Sequence, residues 1–484
     1  MIRLEILKMR NSLASHCERL GKRILNHAFW ARRLSVKHTN YSVSRFLWSI
    51  GAMFALALAV SVANAETPSV IDYTLIADFT GSNGDYPGGN LVADGAGNFY
   101  GVTSWGGHVT SSGTCVALYG CGVVYEASPS SSGWKLTVIF KFSGNDGAVP
   151  GGGLVMDNSG NLYGAASFGG NGVCQGQTCG LIYELSPHPG GRWTEKVLYE
   201  FQGAPDGETP TGTLALDLNG NLYGVTTNGG SGSGVAFELS PTSGAEWTEK
   251  TILAFTGADE AGMPEFGLIS DKAGNLYGVS NGGDENGVCG SESIGCGMVY
   301  ELSLNDSGQW IETVLFSFDG TNGFRPTGNL IFDAAGNLYG TTADGGDLSG
   351  CNFGGGCGLV YELLPGEDGN WTEYVLHAFL PGADGNSPFA GVTLDSSGNL
   401  YGTTLHGGAA NNGVVFKLAK RSSGTWPETL LHSFTGGTDG GQPESQLLMD
   451  SSGMLLGTAV AGGLVHDCAA THFAGCGVVF EISK

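Results

Sequence analysis

The residues best suited to chemistry are ten cysteines that form five close pairs, with four to seven residues between the two members of each pair. The pairs are Cys115 and Cys121, Cys174 and Cys179, Cys289 and Cys296, Cys351 and Cys357, and Cys468 and Cys476. A structural zinc site usually combines two pairs, each with only about two to four residues between its cysteines. Because most of these pairs are wider and all five lie in different stretches of the chain, we predict five disulfides formed in an oxidising compartment.

A second set of candidate residues varies in type while its neighbours stay fixed. The position directly before a recurrent Gly-Gly carries aromatic, amide, acidic and imidazole groups, which glycan and peptide sites use. These residues are Trp105, Phe168, Asn228, Asn281, Asp344 and His406, with Ala461 in a seventh copy. We predict a binding ring, although unselected variation at the base of an exposed loop would give the same pattern.

A third set consists of acidic loops of the general form Phe-x-Gly-x-Asp-Gly-x-x-Pro, which contain Asp146, Asp206 and Asp384. Their carboxylates and carbonyls could bind Ca²⁺, which takes about six to eight oxygen ligands. No loop has an EF-hand or RTX motif, so turn formation is the favoured interpretation. The sequence predicts no other metal and no cofactor.

Motifs of the common hydrolases are missing from the sequence. It contains no Gly-x-Ser-x-Gly nucleophile turn and no His-Glu-x-x-His zinc motif. Its 45 acidic residues are too numerous for spacing alone to single out a catalytic pair. The sequence therefore favours binding over catalysis without excluding an enzyme.

These candidates recur because most of the chain is built from seven copies of one unit. The phrase Gly-Asn-Leu-Tyr-Gly, with Phe for Leu in the first copy, repeats with a mean period of about 60 residues. Its tyrosines are Tyr100, Tyr163, Tyr223, Tyr277, Tyr339 and Tyr401, and Leu456 replaces the tyrosine in the seventh copy. A period of this length is typical of propeller blades and solenoid units.

Each unit contains four short runs rich in Val, Leu, Tyr and Phe, separated by glycine, proline and aspartate, and such runs predict strands. An Asp-x-x-Gly-Asn turn joins the first two runs, and its aspartate is expected to bind the turn amides. A Trp-x7-Phe spacing marks the fourth run, and we expect these aromatics to pack between neighbouring sheets. Together the runs predict an all-β, seven-bladed β-propeller of four-stranded antiparallel blades.

The phase of the repeat predicts how this ring closes. Residues 71–79 have the register of a fourth strand, whereas the last copy ends at residues 477–483 with a third strand. Pairing the two segments would complete the last blade and leave no unpaired edge at the seam.

The first 65 residues differ from the repeats and predict a leader. Ten Lys or Arg precede an apolar segment at residues 46–62, and a small-x-small site follows, so a signal peptide cleaved after Ala65 is predicted. A membrane anchor is the alternative, because 17 apolar residues are near the lower limit for spanning a bilayer. Cleavage would leave one propeller domain over residues 66–484, without a membrane span.

The charge of that mature chain limits its partners. It would retain 11 basic and 43 acidic residues, and a surface of this sign repels nucleic acid and anionic lipid. We expect a monomer that is secreted to the extracellular space or the periplasm.

The chain resembles the Gloeo/Verruco-type (GloVer) extracellular tandem repeats of bacteria. Their pattern, Asn-Leu-Tyr-Gly-x-Thr-x-x-Gly-Gly followed by Gly-x-Val-Phe-x-Leu, is clearest at Asn399–Leu418, and the resemblance covers residues 71–484. The strand layout is more weakly similar to kelch propellers. The resemblance implies an extracellular or surface location and brings no catalytic residues.

The sequence predicts a secreted or cell-surface scaffold that binds an extracellular glycan or protein. One alternative is a carbohydrate-active hydrolase or lyase that uses the central funnel of the propeller. The other is a structural protein of the cell envelope. Fold alone does not decide among them, because one propeller scaffold can host many functions.

Overall fold

The computed structural model describes residues 71–107, 115, 120–174, 177–243, 246–257, 261–283, 289, 295–346, 351, 355–367, 369–464, 468 and 475–483. The predicted leader, its apolar segment and its cleavage site after Ala65 lie outside the described residues. Within these ranges, no helix is both long and apolar enough to cross a membrane.

The regular elements of the described residues are strands, which form seven antiparallel sheets. Blade 1 contains β2 (Val92–Ala93), β3 (Phe99–Thr103), β4 (Val123–Ser130) and β5 (Gly133–Lys141). Blade 2 contains β6 (Ala148–Pro150), β7 (Val155–Met156), β8 (Leu162–Phe168), β9 (Leu181–His188) and β10 (Arg192–Glu200). Blade 3 contains β11 (Gly207–Leu216), β12 (Leu222–Gly229), β13 (Val235–Pro241) and β14 (Trp247–Ala254).

The other four blades repeat this order. Blade 4 contains β15 (Ile269–Ser270), β16 (Leu276–Ser280), β17 (Met298–Leu304) and β18 (Trp310–Ser317). Blade 5 contains β19 (Phe324–Phe332), β20 (Leu338–Asp344), β21 (Leu359–Pro365) and β22 (Trp371–Ala378). Blade 6 contains β23 (Thr393–Leu394), β24 (Leu400–Thr404), β25 (Val414–Leu418) and β26 (Glu428–Ser433). Blade 7 contains β27 (Leu448–Met449), β28 (Leu455–Ala459), β29 (Val478–Ser483) and β1 (Asp72–Asp78).

The ring closes where the repeat phase predicts. Strand β1 pairs antiparallel with β29, with Asp72 opposite Ser483 and Asp78 opposite Val478. The Phe79 amide extends the ladder by donating to the Gly477 carbonyl at 3.1 Å. Both the seven-bladed propeller and the pairing of residues 71–79 with residues 477–483 are therefore confirmed.

The recurrent aspartates form turns, as predicted. In blade 1, Asp94 Oδ1 accepts hydrogen bonds from the Ala96 and Asn98 amides at 2.8 and 2.9 Å. Its Oδ2 accepts from the Asn98 side chain at 2.7 Å and from the Tyr100 hydroxyl at 3.2 Å. The same network surrounds Asp157, Asp217, Asp271, Asp333 and Asp395.

The Trp-x7-Phe aromatics pack between blades, also as predicted. Phe142 of blade 1 packs edge-on against Tyr183 of blade 2, with ring centroids 5.0 Å apart. At the seam, Phe79 packs in the same way against Tyr125 at 5.1 Å. The tryptophans of this spacing also contact the neighbouring blade, since the ring centroid of Trp193 in blade 2 lies 5.7 Å from that of Tyr100 in blade 1. The core is therefore a set of inter-blade layers rather than one central cluster.

Equivalent packing at the seam and inside the chain leads to a stability prediction. Phe79→Ala and Phe142→Ala each remove a fully buried ring from the same type of contact. We expect each to lower the free energy of unfolding by about 3–5 kcal/mol, measured by denaturant titration under oxidising conditions. A near-neutral Phe79→Ala beside a costly Phe142→Ala would show that the seam is open in solution.

Candidate functional site

The innermost strands converge on the propeller axis and leave a cavity of about 440 Å³ at one mouth. The loops that lead into each innermost strand form its wall, together with the ends of the second strands. Its lining includes Tyr86, Ser104, Glu265, Phe266, Phe389 and Glu444. The cavity therefore combines aromatic rings, hydroxyls and carboxylates.

The segments that lead into the innermost strands contact one another at the inner end of the cavity. The backbone amide of Gln446 donates to Asn90 Oδ1 at 2.8 Å, and its side-chain amide donates to the Val392 carbonyl at 2.7 Å. The backbones also approach closely, since a Cβ at Gly152 would lie 1.9 Å from the Gly212 carbonyl oxygen. Only glycine fits there. A separate cavity of about 770 Å³ with apolar walls lies at the other mouth.

Seven non-glycine residues have left-handed backbones at equivalent positions of the seven blades, and two of them, Tyr86 and Thr209, line the cavity. The seven residues are Tyr86, Val149, Thr209, Met263, Arg325, Ser387 and Gln442, with φ between 52° and 63°. Each precedes a proline and donates its amide to a carbonyl of the preceding blade, at 2.8 to 3.2 Å. This backbone conformation is uncommon for residues with a side chain and persists where surrounding contacts enforce it.

The five predicted disulfides are confirmed. Each bridge joins the two cysteines of one close pair, with Cα–Cα separations of 5.1 to 5.4 Å. The bonded pairs are Cys115 with Cys121, Cys174 with Cys179, Cys289 with Cys296, Cys351 with Cys357, and Cys468 with Cys476. The pairing within one copy of the repeat is the pairing that the spacing predicts, and the zinc alternative is not realised in these cysteines.

The disulfides also brace the contacts between blades. In every bridge the second cysteine supplies the backbone carbonyl that accepts the amide from the next blade. These acceptors are the carbonyls of Cys121, Cys179, Cys296, Cys357 and Cys476. Ser233 and Asn412 supply the carbonyl in the two copies without cysteines. The bridges therefore lie behind the wall of the cavity mouth.

One side of the mouth carries a buried acid. The Tyr86 hydroxyl lies 2.9 Å from both carboxylate oxygens of Glu444 and donates a hydrogen bond to this carboxylate. Burial raises the pKa of Glu444 to about 7, and the hydrogen bond from Tyr86 offsets part of that rise. Glu444 is therefore partly protonated near neutral pH.

Another side of the mouth carries an ion-paired cluster. Arg325 Nη1 lies 3.0 Å from Asp344 Oδ2, and the Asn281 side chain donates to Glu265 at 2.7 Å. Burial raises the pKa of both Asp344 and Glu265, and the nearby Arg325 guanidinium opposes the rise in each. This cluster and Glu444 place carboxylates on different blades around one cavity.

None of the six described residues of the predicted ring lines the cavity. The residue one position earlier does so in three blades, namely Ser104, Ser167 and Thr227. Successive side chains of a strand point to opposite faces, so a shift of one position changes the side that a residue faces. The predicted ring residues form an outer layer instead.

Members of this outer layer support the cavity in different ways. Trp105 packs against the Tyr86 ring, with centroids 4.6 Å apart, while Asn281 and Asp344 contact Glu265 and Arg325. Phe168, Asn228 and His406 pair through their backbones with the loops that enter the innermost strands. Burial lowers the pKa of His406. A role of the ring in binding stays a prediction.

Sequence reasoning missed the cavity residues that follow the recurrent prolines. Glu265, Phe389 and Glu444 each come directly after a proline, where other copies have glycine or threonine. That variation was a usable signal, but the sequence did not show that the position faces the axis.

Metal-ligating side chains come together twice among the described residues. One group contains Asp85 with Cys468 and Cys476, whose sulfurs are joined in a disulfide and are not thiolate ligands. The other contains His377, Asp384 and Glu428, none of which lines the axial cavity. The carboxylates of Asp146, Asp206 and Asp384 also accept amides of their own loops, which is the turn function expected of them.

The fold is a seven-bladed propeller, and the cavity is a pocket on its axis. The Gloeobacter/Verrucomicrobia repeat model matches residues 109–353 and 348–484, so the chain belongs to this family. Among solved structures it is similar to a luciferin-regenerating enzyme, with a TM-score of 0.40, 14% identity, and coverage of 86% of this chain and 95% of that one. It is also similar to a gluconolactonase of Xanthomonas campestris, with a TM-score of 0.35, 14% identity, and coverage of 68% and 90%. The search of curated proteins gave no match.

The buried carboxyls predict a stability that falls as the pH rises. Burial is the main cause that raises the pKa of Glu195 and Glu444 to about 7 and of Glu373 to about 8. Between the ordinary carboxyl pKa and these values, the folded state holds more protons than the unfolded state. The free energy of unfolding should therefore decrease from about pH 6.5 to 8, a range in which the opposing contribution of histidine, with an ordinary pKa of about 6.5, fades.

Glu444→Gln tests this prediction at the cavity. We expect the variant to flatten the decrease by about 1 kcal/mol over this range, as measured by denaturant titration at each pH. Glu367→Gln, on an exposed loop, is the matched control and should leave the decrease unchanged. An unaltered pH dependence in Glu444→Gln would contradict the prediction.

Proposed function

We propose that the protein is a secreted scaffold that binds a neutral or cationic saccharide in the axial cavity. The observation that carries the proposal is an axial cavity of about 440 Å³ whose lining combines aromatic rings, hydroxyls and carboxylates. A volume of this size suits a small ligand or one end of a glycan chain rather than a protein surface.

The lining combines apolar rings with hydrogen-bonding groups. The Phe266 and Phe389 rings pack edge to face, with centroids 5.8 Å apart. Phe266 leads into β15 of blade 4 and Phe389 into β23 of blade 6. Such rings offer flat apolar surface to the C–H face of a sugar. The hydroxyls of Ser104 and Thr211 and the carboxylate of Glu444 are suited to sugar hydroxyls, which both donate and accept.

The charge of the lining selects against acidic ligands. The described lining residues include Glu265 and Glu444 but no lysine, arginine or histidine. The rim cation, Arg325, is already paired with Asp344. A uronate or phosphorylated sugar would therefore meet repulsion, whereas a neutral or amino sugar would not.

A glycan array followed by calorimetry tests this function. We expect binding of neutral or amino glycans, and at least a tenfold loss of affinity in Phe266→Ala/Phe389→Ala because the apolar platform is removed. Tyr374→Ala removes an exposed ring on β22 of blade 5 and is the matched control. Equal binding by the double variant and the control would remove the cavity from consideration.

Incubation of the protein with the glycan that it binds separates binding from hydrolysis. Glu444, with its raised pKa, has the property of a general acid, and Glu265 in the same cavity could act as base or nucleophile. Mass spectrometry of the incubated glycan should recover it intact if the protein only binds. Cleavage products that disappear in Glu444→Gln would establish the hydrolase alternative.

Export of residues 66–484 after cleavage at Ala65 is part of the proposal. It is supported by the basic and apolar leader and by five disulfides in the propeller. Expression of the full chain in a bacterial host should give exported protein whose N-terminal residue is Glu66, as read by mass spectrometry. Recovery of the leader on the membrane-bound protein would instead indicate an anchor.

A further inference from the structure

Three side chains with metal-ligand chemistry meet at the outer edge of the junction between blades 5 and 6. His377 lies in β22 of blade 5, Asp384 in the following loop, and Glu428 opens β26 of blade 6. His377 Nε2 lies 3.4 Å from Asp384 Oδ2 and 3.9 Å from Glu428 Oε1. One ligand atom from each residue lies within 4.8 Å of the other two.

Neighbouring groups hold these side chains so that their remaining polar atoms face one another. The Leu380 amide donates to Asp384 Oδ2 at 2.8 Å, and the His377 ring packs edge-on against Phe379 at 4.7 Å. His377 Nε2 and Glu428 Oε1 are shielded from solvent and face each other and the Asp384 carboxylate. Two carboxylates and an imidazole packed this closely favour a cation or a shared proton between them.

We propose that His377, Asp384 and Glu428 bind one divalent transition-metal cation. One imidazole nitrogen and two carboxylate oxygens form a borderline donor set, which suits Zn²⁺ or Mn²⁺ better than Ca²⁺. Ligands about 2.0–2.2 Å from a tetrahedral metal lie roughly 3.3–3.6 Å apart, and the observed separations require only a small rotation of Glu428. The three side chains are 14% to 24% exposed, so the cluster lies close to the outer surface of the ring.

The other junctions of the ring provide internal comparisons. At the junction of blades 6 and 7, His432 Nε2 lies 3.2 Å from Asp439 Oδ2, but Tyr73 occupies the position of Glu428 and stacks on His432. At the junction of blades 2 and 3, Tyr199 replaces the histidine and donates to Asp206. The repeat thus supplies the same backbone several times, and the described residues complete the ligand set at one junction.

A bound metal would link the two blades. His377 and Asp384 belong to blade 5 and the loop after it, whereas Glu428 belongs to the outermost strand of blade 6. Since binding to the folded state alone stabilises it, the metal should raise the thermal midpoint in a concentration-dependent way. The site is separate from the saccharide cavity and does not depend on the proposed function.

Metal titration of the purified, oxidised mature chain without a histidine tag tests the site. After treatment with EDTA, calorimetry with ZnCl₂ or MnCl₂ should give one equivalent per chain, and CaCl₂ should bind at least tenfold more weakly. His377→Asn and Glu428→Gln should each lower the affinity for the preferred metal at least tenfold and abolish the rise in thermal midpoint. His432→Asn, at the incomplete junction, should retain both.

A gain of binding gives an independent second measurement. Tyr73→Glu places a carboxylate beside His432 and Asp439, and we expect it to raise the stoichiometry from one metal to two. The visible spectrum of bound Co²⁺ reports ligation directly and should lose its intensity in His377→Asn. Wild-type affinity in Glu428→Gln, or a preference for Ca²⁺ over both transition metals, would overturn the proposal.

Discussion

A single amide–carbonyl hydrogen bond between neighbouring blades recurs at all seven junctions, and the other features of the ring are arranged around it. Its donor is a left-handed residue before a proline, and its acceptor is the carbonyl before a glycine of the preceding blade. The proline ring packs onto that glycine, and a Cβ at Gly122 would lie 2.7 Å from Pro150 Cδ. The left-handed conformation costs roughly 1–3 kcal/mol per residue, so the junction must enforce it. The recurrent proline and glycine of the repeat are explained by this contact.

The same junction links stability to the cavity. Because the donor residues Tyr86 and Thr209 line the cavity, the hydrogen bond that joins two blades also sets the position of cavity side chains. The disulfides hold the loops that carry the acceptor. Where cysteines are missing, polar side chains replace them, since Asn412 donates to the Thr435 carbonyl at 2.8 Å. The loops are therefore anchored in cysteine-free copies as well, by weaker bonds.

Features that recur in each copy could be predicted from the sequence, whereas features that depend on how the blades pack around the axis could not. Blade number, seam, turn aspartates and disulfides follow from residues at fixed spacing within one copy. The inward-facing residues do not, because a shift of one position, from Trp105 to Ser104, exchanges the faces of a strand end. Glu444 and Phe389 follow their prolines in the sequence, yet only the packed ring shows that this position points to the axis. The ligand set of His377, Asp384 and Glu428 combines two copies, so no single copy contains it.

These observations explain why chemistry in this propeller lies at positions where copies differ. An exact sevenfold repeat would offer seven identical weak sites and a uniform axial wall. The turn aspartates, junction glycines and prolines recur in all seven copies because the ring depends on them. The residue after each proline and the outer-strand position of His377 differ from copy to copy, whereas Glu428 repeats a glutamate that other copies share, such as Glu373. Substitution at the positions that differ can create a new ligand set at one junction, or an asymmetric cavity, while the backbone that holds it stays the same.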